Sequence, residues 1–342
     1  MVNMSLKKVS AHVNKHFLEY TLLSLLAGFL IGVAFQAWIS KNTTLIKNLI
    51  MAFAILTIYP SMIQLKGEEL GKAAKKGKEM LISLVFVFVV APLIAILFAY
   101  LLSDPQVALG YVASNIVPAS SASISYVFLA EGDIELATVL AVISLLGSLV
   151  AIPGYLSAYA SATSLNLPLD QIMMSVLYTL VVPFVAGQAT RWILVYYKAR
   201  AGGDKRSAYS WISQDLKPYT QLATMLSMLV LVALLVANES GLILKTPVLA
   251  VEVLLLQTVM LGFLLALITV IDKALGVSYE ANTAIAYISA TKNQSVAAMI
   301  AVMALGPKAA LVPALVPAIQ APVSISYLRV LPRLRKWFKT EK

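Results

Sequence analysis

The sequence has 342 residues, of which 60% are hydrophobic and only 12% are charged, whereas a soluble domain carries about 25% charged residues. The net charge of +10 does not indicate nucleic-acid binding, because the basic residues lie between apolar stretches and form no single basic surface. The lack of cysteine excludes disulfides, thiolate metal ligands and a cysteine nucleophile.

The apolar stretches predict an all-α integral membrane protein. Each stretch is about 20 residues long, the length of a helix that crosses a hydrocarbon layer of about 30 Å. Backbone groups in lipid need internal partners, which leaves the helix as the element that fits these stretches. We predict ten transmembrane helices, in chain order 18–38, 45–64, 81–102, 108–129, 135–158, 168–192, 220–237, 246–271, 280–304 and 309–328.

The distribution of lysine and arginine predicts the orientation of the chain. With the N-terminus in the cytoplasm, most of the 26 basic residues fall in segments on the cytoplasmic side, as the positive-inside rule expects. We therefore expect a multi-pass protein of the cell membrane with both termini cytoplasmic. The predicted parts are a cytoplasmic N-terminus (1–17), a first repeat of helices one to five with helix six (18–192), a basic cytoplasmic loop (193–219), helices seven to ten (220–328) and a basic cytoplasmic tail (329–342).

Two repeats of five helices would have opposite orientations, because five is odd, and inverted repeats are common in transporters. The fourth helix of each repeat, which is the fourth and the ninth of the chain, carries a polar cluster near its middle. These clusters hold Ser114, Asn115, Pro118, Ala119, Ser120, Ser121 and Ser123 in the fourth helix, and Thr291, Lys292, Asn293, Gln294 and Ser295 in the ninth.

We predict that both helices are discontinuous at these clusters. Pro118 lacks a backbone donor and interrupts the fourth helix. Backbone groups freed at membrane depth must be buried in protein or line a cavity, and there they can bind a solute. The structural alternative is that small polar residues only let the helices pack closely.

Lys292 is the most informative single residue, because inserting a lysine at the centre of a membrane helix costs roughly 2.5–3.5 kcal/mol of free energy. Its functional interpretation is a charge that binds an anionic solute or exchanges a proton, and its structural interpretation is a hydrogen-bond anchor to the Pro118 region. Gln320 in the tenth helix is expected to pair with polar groups of the ninth. Glu252, the one carboxylate clearly inside a predicted helix, is interpreted as an acid that reaches the membrane surface.

Several motifs resemble those of the arsenite-efflux permeases of the bile acid:sodium symporter superfamily. The likeness runs from about residue 50 to 330. It rests on Ile58-Tyr59-Pro60, Glu68-Glu69-Leu70, Ala91-Pro92, Pro118 with Leu129-Ala130-Glu131-Gly132-Asp133, Val182-Pro183 with Gly187 and Arg191, Thr291-Lys292-Asn293, and Pro317 with Gln320-Ala321-Pro322. The resemblance implies ten helices in two inverted repeats, a panel part and a core part, and a site where the two broken helices cross.

The sequence departs from the arsenite-permease pattern at two positions and from the sodium-coupled branch at a third. Arsenite permeases carry a cysteine where this chain has Ala119, and a glutamate where it has Gln320. The sodium-coupled branch carries a carboxylate in its ninth helix, where this chain offers Lys292. These differences argue against arsenite–proton exchange by the usual route. They also suggest that a fixed ammonium replaces a bound cation and makes transport sodium-independent.

Together these observations predict a secondary active transporter of a small anionic or metalloid solute, or alternatively a sodium-independent organic-anion transporter. One helix bundle would rock against another to give alternating access. The predicted substrate-binding residues are the two polar clusters and Gln320. The expected partners are the lipid bilayer, the solute and a proton as candidate coupling ion, with no cofactor, metal or nucleic acid.

Two other classes compete with transport. An intramembrane hydrolase would use Ser120 or Ser121 as nucleophile and Lys292 as base, but no nucleophile-elbow motif surrounds these serines. A passive channel would need a continuous polar pore, whereas the polar residues here gather at one depth.

Overall fold

The computed structural model describes residues 2–65, 77–200 and 204–339, and every regular element within these ranges is a helix. Eight of the described helices are long and apolar enough to cross a membrane, so the chain is a multi-pass membrane protein. The Glu68-Glu69-Leu70 motif lies outside the described residues. In chain order the helices are α1 (Val2–Lys15), α2 (Phe17–Ala34), α3 (Gln36–Lys41), α4 (Thr43–Gln64), α5 (Gly77–Ala99), α6 (Pro105–Ile116), α7 (Ser121–Leu129), α8 (Ile134–Ala162), α9 (Leu169–Arg200), α10 (Arg206–Lys245), α11 (Pro247–Ala274), α12 (Tyr279–Ala290), α13 (Gln294–Leu305) and α14 (Pro307–Lys339).

Several helices extend well beyond the predicted apolar windows. The stretch predicted as a loop, 193–219, is helical up to Arg200 and again from Arg206, and the side chain of Asp204 accepts a hydrogen bond from the Ser207 amide at 2.7 Å. The predicted tail likewise continues α14 as far as Lys339. Hydropathy windows mark where lipid begins and ends, whereas a helix continues into water as long as polar residues cover it.

The chain divides into two compact units. Unit 1 holds residues Met1–Leu65 and Met174–Gly241, and unit 2 holds Lys66–Met173 and Leu242–Lys342. Each predicted five-helix repeat therefore contributes its first two helices to unit 1 and its last three to unit 2.

Unit 1 is held by close approaches of backbone to backbone. Gly28 of α2 lies against the backbone of Ala233 in α10, where a Cβ atom would come within 2.8 Å of the Ala233 Cα. At the end of α4, Arg191 donates to the carbonyl of Ile63 at 3.0 Å and Gln188 to that of Met62 at 2.7 Å. These side chains of α9 provide hydrogen-bond donors to carbonyls in the last turn of α4.

Unit 2 contains both broken helices and the largest part of the described apolar core, including Tyr287, Leu140 and Ile268. Its helix ends meet in two groups. In one group Lys308 pairs with Asp104 at 2.5 Å and Ser103 donates to Glu252 at 2.8 Å. In the other group the Asp133 amide donates to the Glu280 carbonyl at 2.9 Å. Each group joins segments that alternate crossings of a membrane would bring to the same side.

Gly110 generates a stability prediction for unit 2. A Cβ at Gly110 in α6 would lie 2.7 Å from the Cα of Ala309 in α14, where only backbone could move away. We expect Gly110→Ala to destabilise the protein by about 1–3 kcal/mol, the usual range for overpacking.

The matched control is Gly154→Ala in α8, where an added Cβ meets nothing within 4 Å and where alanine gains up to about 1 kcal/mol of helix propensity. Thermal unfolding followed by the fluorescence of the four tryptophans measures both changes. Equal melting temperatures for the two variants would contradict the close packing of α6 on α14.

Asp104 generates a prediction on pH. Burial raises the pKa of its carboxyl, but the hydrogen bond from Lys308 and the amides of Val107 and Gln106 outweigh burial and hold the pKa below its ordinary value. A depressed pKa stabilises the fold above the unfolded-state pKa of about 3.9. That contribution is lost as the pH falls through the folded-state pKa.

We therefore expect Asp104→Asn, which keeps a capping side chain, to lower stability at neutral pH by up to about 1 kcal/mol, the range of partly exposed ion pairs. The difference from the wild type should vanish in acid, below both pKa values. Melting temperatures across an acid-to-neutral series test this, and a pH-independent difference would count against the ion pair.

Candidate functional site

The first helix break lies at residues 117–120, between α6 and α7. Pro118 has no amide hydrogen and forces the residue before it out of helical geometry, and Val117 indeed has an extended ψ of 161°. The Ser120 hydroxyl then caps the new helix by accepting from the Ala122 amide at 3.3 Å. The predicted interruption at Pro118 is confirmed.

The second break lies at residues 291–293, between α12 and α13. No proline causes it. Thr291 and Asn293 adopt extended backbone angles, and the Asn293 side chain caps α13 by accepting from the Ser295 amide at 3.2 Å. Short polar side chains compete with helical hydrogen bonding, and this competition accounts for the predicted interruption, which is also confirmed.

The two breaks pair with each other as a short antiparallel bridge between Ala119 and Lys292. The Ser120 amide donates to the Thr291 carbonyl and the Asn293 amide to the Pro118 carbonyl, both at 2.9 Å. Each break thus supplies the hydrogen bonds that the other lost with its helix. We call this pair of segments, 117–120 and 291–293, the crossing.

Side chains from three other helices hold the crossing in place. Ser144 of α8 accepts from the Ala119 amide, and Ser123 of α7 donates to the Thr291 carbonyl, each at 3.0 Å. Gln320 of α14 makes two bonds to Lys292: its Oε1 accepts from the amide and its Nε2 donates to the carbonyl, both at 3.0 Å. The expected pairing of Gln320 with the ninth helix is confirmed, and its partner is the backbone.

Lys292 is only 3% exposed. Within the described part of the chain, no hydrogen bond or ion pair joins its Nζ to another residue. The anchor to the Pro118 region is made by the Asn293 backbone, so the lysine side chain is not needed for it. A lysine buried to this degree with no ion-pair partner among the described residues is costly, so Lys292 is the candidate ionisable group of the crossing.

Other polar atoms at the crossing are buried and unpaired. The hydroxyls of Ser114 and Thr291 and the Oε1 of Gln294 have no hydrogen-bond partner among the described residues. The Nε2 of Gln294 donates to the Ser114 carbonyl at 3.1 Å, which joins α13 to α6. These groups surround the crossing with donors and acceptors that a small solute could engage.

The structure brings most of the predicted site residues together, with two qualifications. Asn115 is fully engaged by a reciprocal pair with Gln257 of α11, at 3.1 and 3.0 Å. Ser121 begins α7 and is exposed. The residues gathered at the crossing or bonded to it are Ser114, Pro118, Ala119, Ser120, Ser123, Thr291, Lys292, Asn293, Gln294, Ser295 and Gln320.

Sequence reasoning missed Ser144, which holds the crossing, and several other buried polar residues. Gln257 is fully buried in α11, and only its polarity within an apolar window could have indicated it. Glu239 and Asp272 are buried at 2% and 0% exposure, but the predicted helices ended at 237 and 271, just before them. Glu252, in contrast, accepts from the Ser103 amide and hydroxyl at a helix end.

Eight membrane-length helices in the described part of the chain, with two broken helices paired inside one unit, define a multi-pass protein of the transporter class. The chain belongs to the Sodium Bile acid symporter family, whose profile matches residues 49–246. The matched residues include the first break and end before the second. An uncharacterized transporter of Synechocystis sp. is 24% identical over 307 residues, covering 82% of this chain and 77% of the relative.

Gln320 provides a test of how the crossing is held. Gln320→Met keeps the side-chain length but leaves the Lys292 amide and carbonyl without partners, and each buried unpaired group costs about 1–3 kcal/mol. We expect a clearly lower melting temperature. Gln106→Met, at an exposed position on α6, is the control and should leave stability nearly unchanged. A Gln320→Met protein as stable as this control would show that the two hydrogen bonds from Gln320 to the Lys292 backbone do not hold the crossing.

Proposed function

We propose that this protein is a secondary active transporter that binds a small anionic or metalloid solute at the crossing. The observation that carries the proposal is Lys292, a buried lysine that has no ion-pair partner among the described residues and sits where two helices break. A solute that brings a negative charge would supply the missing partner. In this proposal the residues of the two polar clusters contact the solute.

The helix ends at the crossing favour the same charge. Both α7 and α13 begin there, and the N-terminal end of a helix carries partial positive charge. The free hydroxyls of Ser114 and Thr291 can donate hydrogen bonds to an oxygen-bearing anion. Two helix ends, an ammonium and hydroxyl donors together favour an oxyanion or a carboxylate.

The residues at the crossing bear on the substrate class. Ala119 supplies no thiolate, the soft ligand that suits a trivalent arsenical. Gln320 has both polar atoms committed to the Lys292 backbone and has no acid group to carry a proton. Both facts support a small organic or inorganic oxyanion as solute. Lys292 supplies a positive charge from the chain itself, so that no bound sodium ion is needed for it. This supports sodium-independent organic-anion transport as the second candidate.

The wider arrangement supports alternating access. The equal contribution of two plus three helices from each predicted repeat supports an inverted repeat. The contacts between helix ends in unit 2 support alternate crossings of the membrane. The excess of basic residues on one predicted side supports cytoplasmic termini in a cell membrane.

The test is solute binding and transport by purified protein in liposomes. We would screen inorganic oxyanions, arsenite and small mono- and dicarboxylates, with and without sodium and at two pH values, and then measure the solute that binds. We expect Lys292→Met to weaken its binding at least tenfold, or about 1.4 kcal/mol, because hydrogen bonds to charged groups contribute about 1.5–3 kcal/mol. Lys292→Arg should retain part of the affinity.

Lys245→Met, at an exposed position near the end of α10, is the matched control, since it removes one positive charge away from the crossing. It should bind and transport as the wild type does. A Lys292→Met protein that binds and moves the solute at the wild-type rate would overturn the proposed site.

A further inference from the structure

Asp272 is a buried acid that the proposed solute site does not use. It lies in the last turn of α11 with 0% exposure, and neither carboxylate oxygen has a hydrogen-bond partner among the described residues. The C-terminal end of a helix carries partial negative charge, which disfavours an ionised acid there. An unpaired buried carboxylate is also costly to desolvate. Both effects favour the neutral, protonated form.

A cluster of polar groups from three helices surrounds this acid. Thr269 lies one turn before Asp272 on the same face of α11, and its Oγ1 is 2.7 Å from the hydroxyl of Tyr327 in α14. Asn282 of α12 reaches the same Tyr327 hydroxyl with its Nδ2 at 3.5 Å. Because residues three apart on a helix are neighbours on one face, Asp272 lies next to the Thr269 end of this cluster.

The hydrogen-bond donors of this cluster already have acceptors. Thr269 donates its single hydroxyl hydrogen to the Leu265 carbonyl at 2.7 Å, so Tyr327 must donate to Thr269. Asn282 turns its amide hydrogens toward Tyr327, and its Oδ1 stays buried and unpaired. The unsatisfied atoms of the cluster are therefore three oxygens, two from Asp272 and one from Asn282.

No basic side chain in the described part of the chain forms an ion pair with Asp272. On α11 itself, Lys273 donates to the Trp337 carbonyl at 2.9 Å. At the start of α5, Lys78 donates to the Leu275 carbonyl at 2.6 Å. On α14, Arg335 pairs with Glu131 and, at 3.8 Å, with Glu280 of α12. The tyrosines of α12 near the cluster are Tyr279, one turn before Asn282, and Tyr287, whose ring contacts that of Tyr327 in α14.

We propose that Asp272 is a proton-binding site in unit 2, distinct from the crossing. The side chains of the cluster offer three unsatisfied oxygens, fewer than the six or more oxygen ligands that Ca²⁺ and Mg²⁺ take. A proton needs only one carboxylate oxygen. In the binding step a hydronium ion in water transfers H⁺ to a carboxylate oxygen of Asp272, which forms the neutral acid and leaves a water molecule.

An open cavity lies next to residues that neighbour the cluster in sequence, and in this proposal the proton enters from it. It has a volume of about 580 Å³ and is lined by Tyr279, Leu328, Arg335 and others. Tyr279 lies one helical turn before Asn282 on α12, and Leu328 follows Tyr327 directly. The cavity is large enough for water, so water reaches the neighbours of the cluster in both α12 and α14.

This site would supply the coupling ion of the proposed transporter, and that role rests on the proposed function. A transporter that moves a solute against its gradient needs a coupled ion, and an acid that gains and loses a proton in a buried site can carry one. The proton site itself stands on the geometry around Asp272, whether or not Lys292 binds the solute.

Infrared spectroscopy of purified protein in lipid tests the site directly. The chain has six aspartates, and Asp272 is the only one of them that is buried. Protein labelled with ¹³C at the aspartate side-chain carboxyl should show, at neutral pH, a label-shifted band of a protonated carboxylic acid. We expect this band to disappear in Asp272→Asn and to persist in Glu239→Gln, which removes the other carboxyl that is buried among the described residues.

Three results would overturn the proposal: no labelled acid band in the wild type, the same band in Asp272→Asn, or loss of the wild-type band when sodium replaces choline at constant pH. The wild-type spectrum decides the question even if Asp272→Asn fails to fold, because Asp272 is the one aspartate that is buried and whose carboxylate oxygens have no partner among the described residues. Failure of the solute-site test at Lys292 would leave this band unchanged, so the two proposals fail separately.

Discussion

The antiparallel pairing of two broken helices is the constraint on which the rest of the site depends. A helix that breaks in lipid loses hydrogen bonds that water cannot replace. Here each break supplies the partners of the other, through the bonds from Ser120 to Thr291 and from Asn293 to Pro118. The pairing requires both breaks at one depth and in one register. It therefore fixes where the side chains of Ala119 and Lys292 stand.

The helices around the crossing complete what the backbone pairing leaves open. Ser144 and Gln320 reach in from α8 and α14 and bind backbone groups of Ala119 and Lys292. A glutamine suits this role because one amide both donates and accepts, whereas an ionised glutamate could only accept. Gln320 thus has a structural role at this position. Lys292 is then the ionisable residue at the crossing.

Unit 2 contains two kinds of buried ionisable group, in different places. Lys292 lies at the crossing beside two helix N-terminal ends, where negative charge is favoured. Asp272 lies at a helix C-terminal end, one turn after the Thr269 that bonds Tyr327, and a helix C-terminal end favours the neutral form of an acid. A solute anion and a proton would be the natural partners of such sites, and the geometry keeps the two in different parts of one unit.

The sequence by itself determined the membrane class, the approximate helices and both breaks, because apolar length, proline and short polar residues act locally. It also singled out Lys292, since a lysine within an apolar stretch is costly wherever the chain folds. Only the tertiary structure decided that Asn115 pairs with Gln257, that Gln320 binds backbone, and that Glu239 and Asp272 are buried. Hydropathy windows could not predict these pairings or the burial of these acids. Both depend on residues that folding brings together from distant parts of the chain.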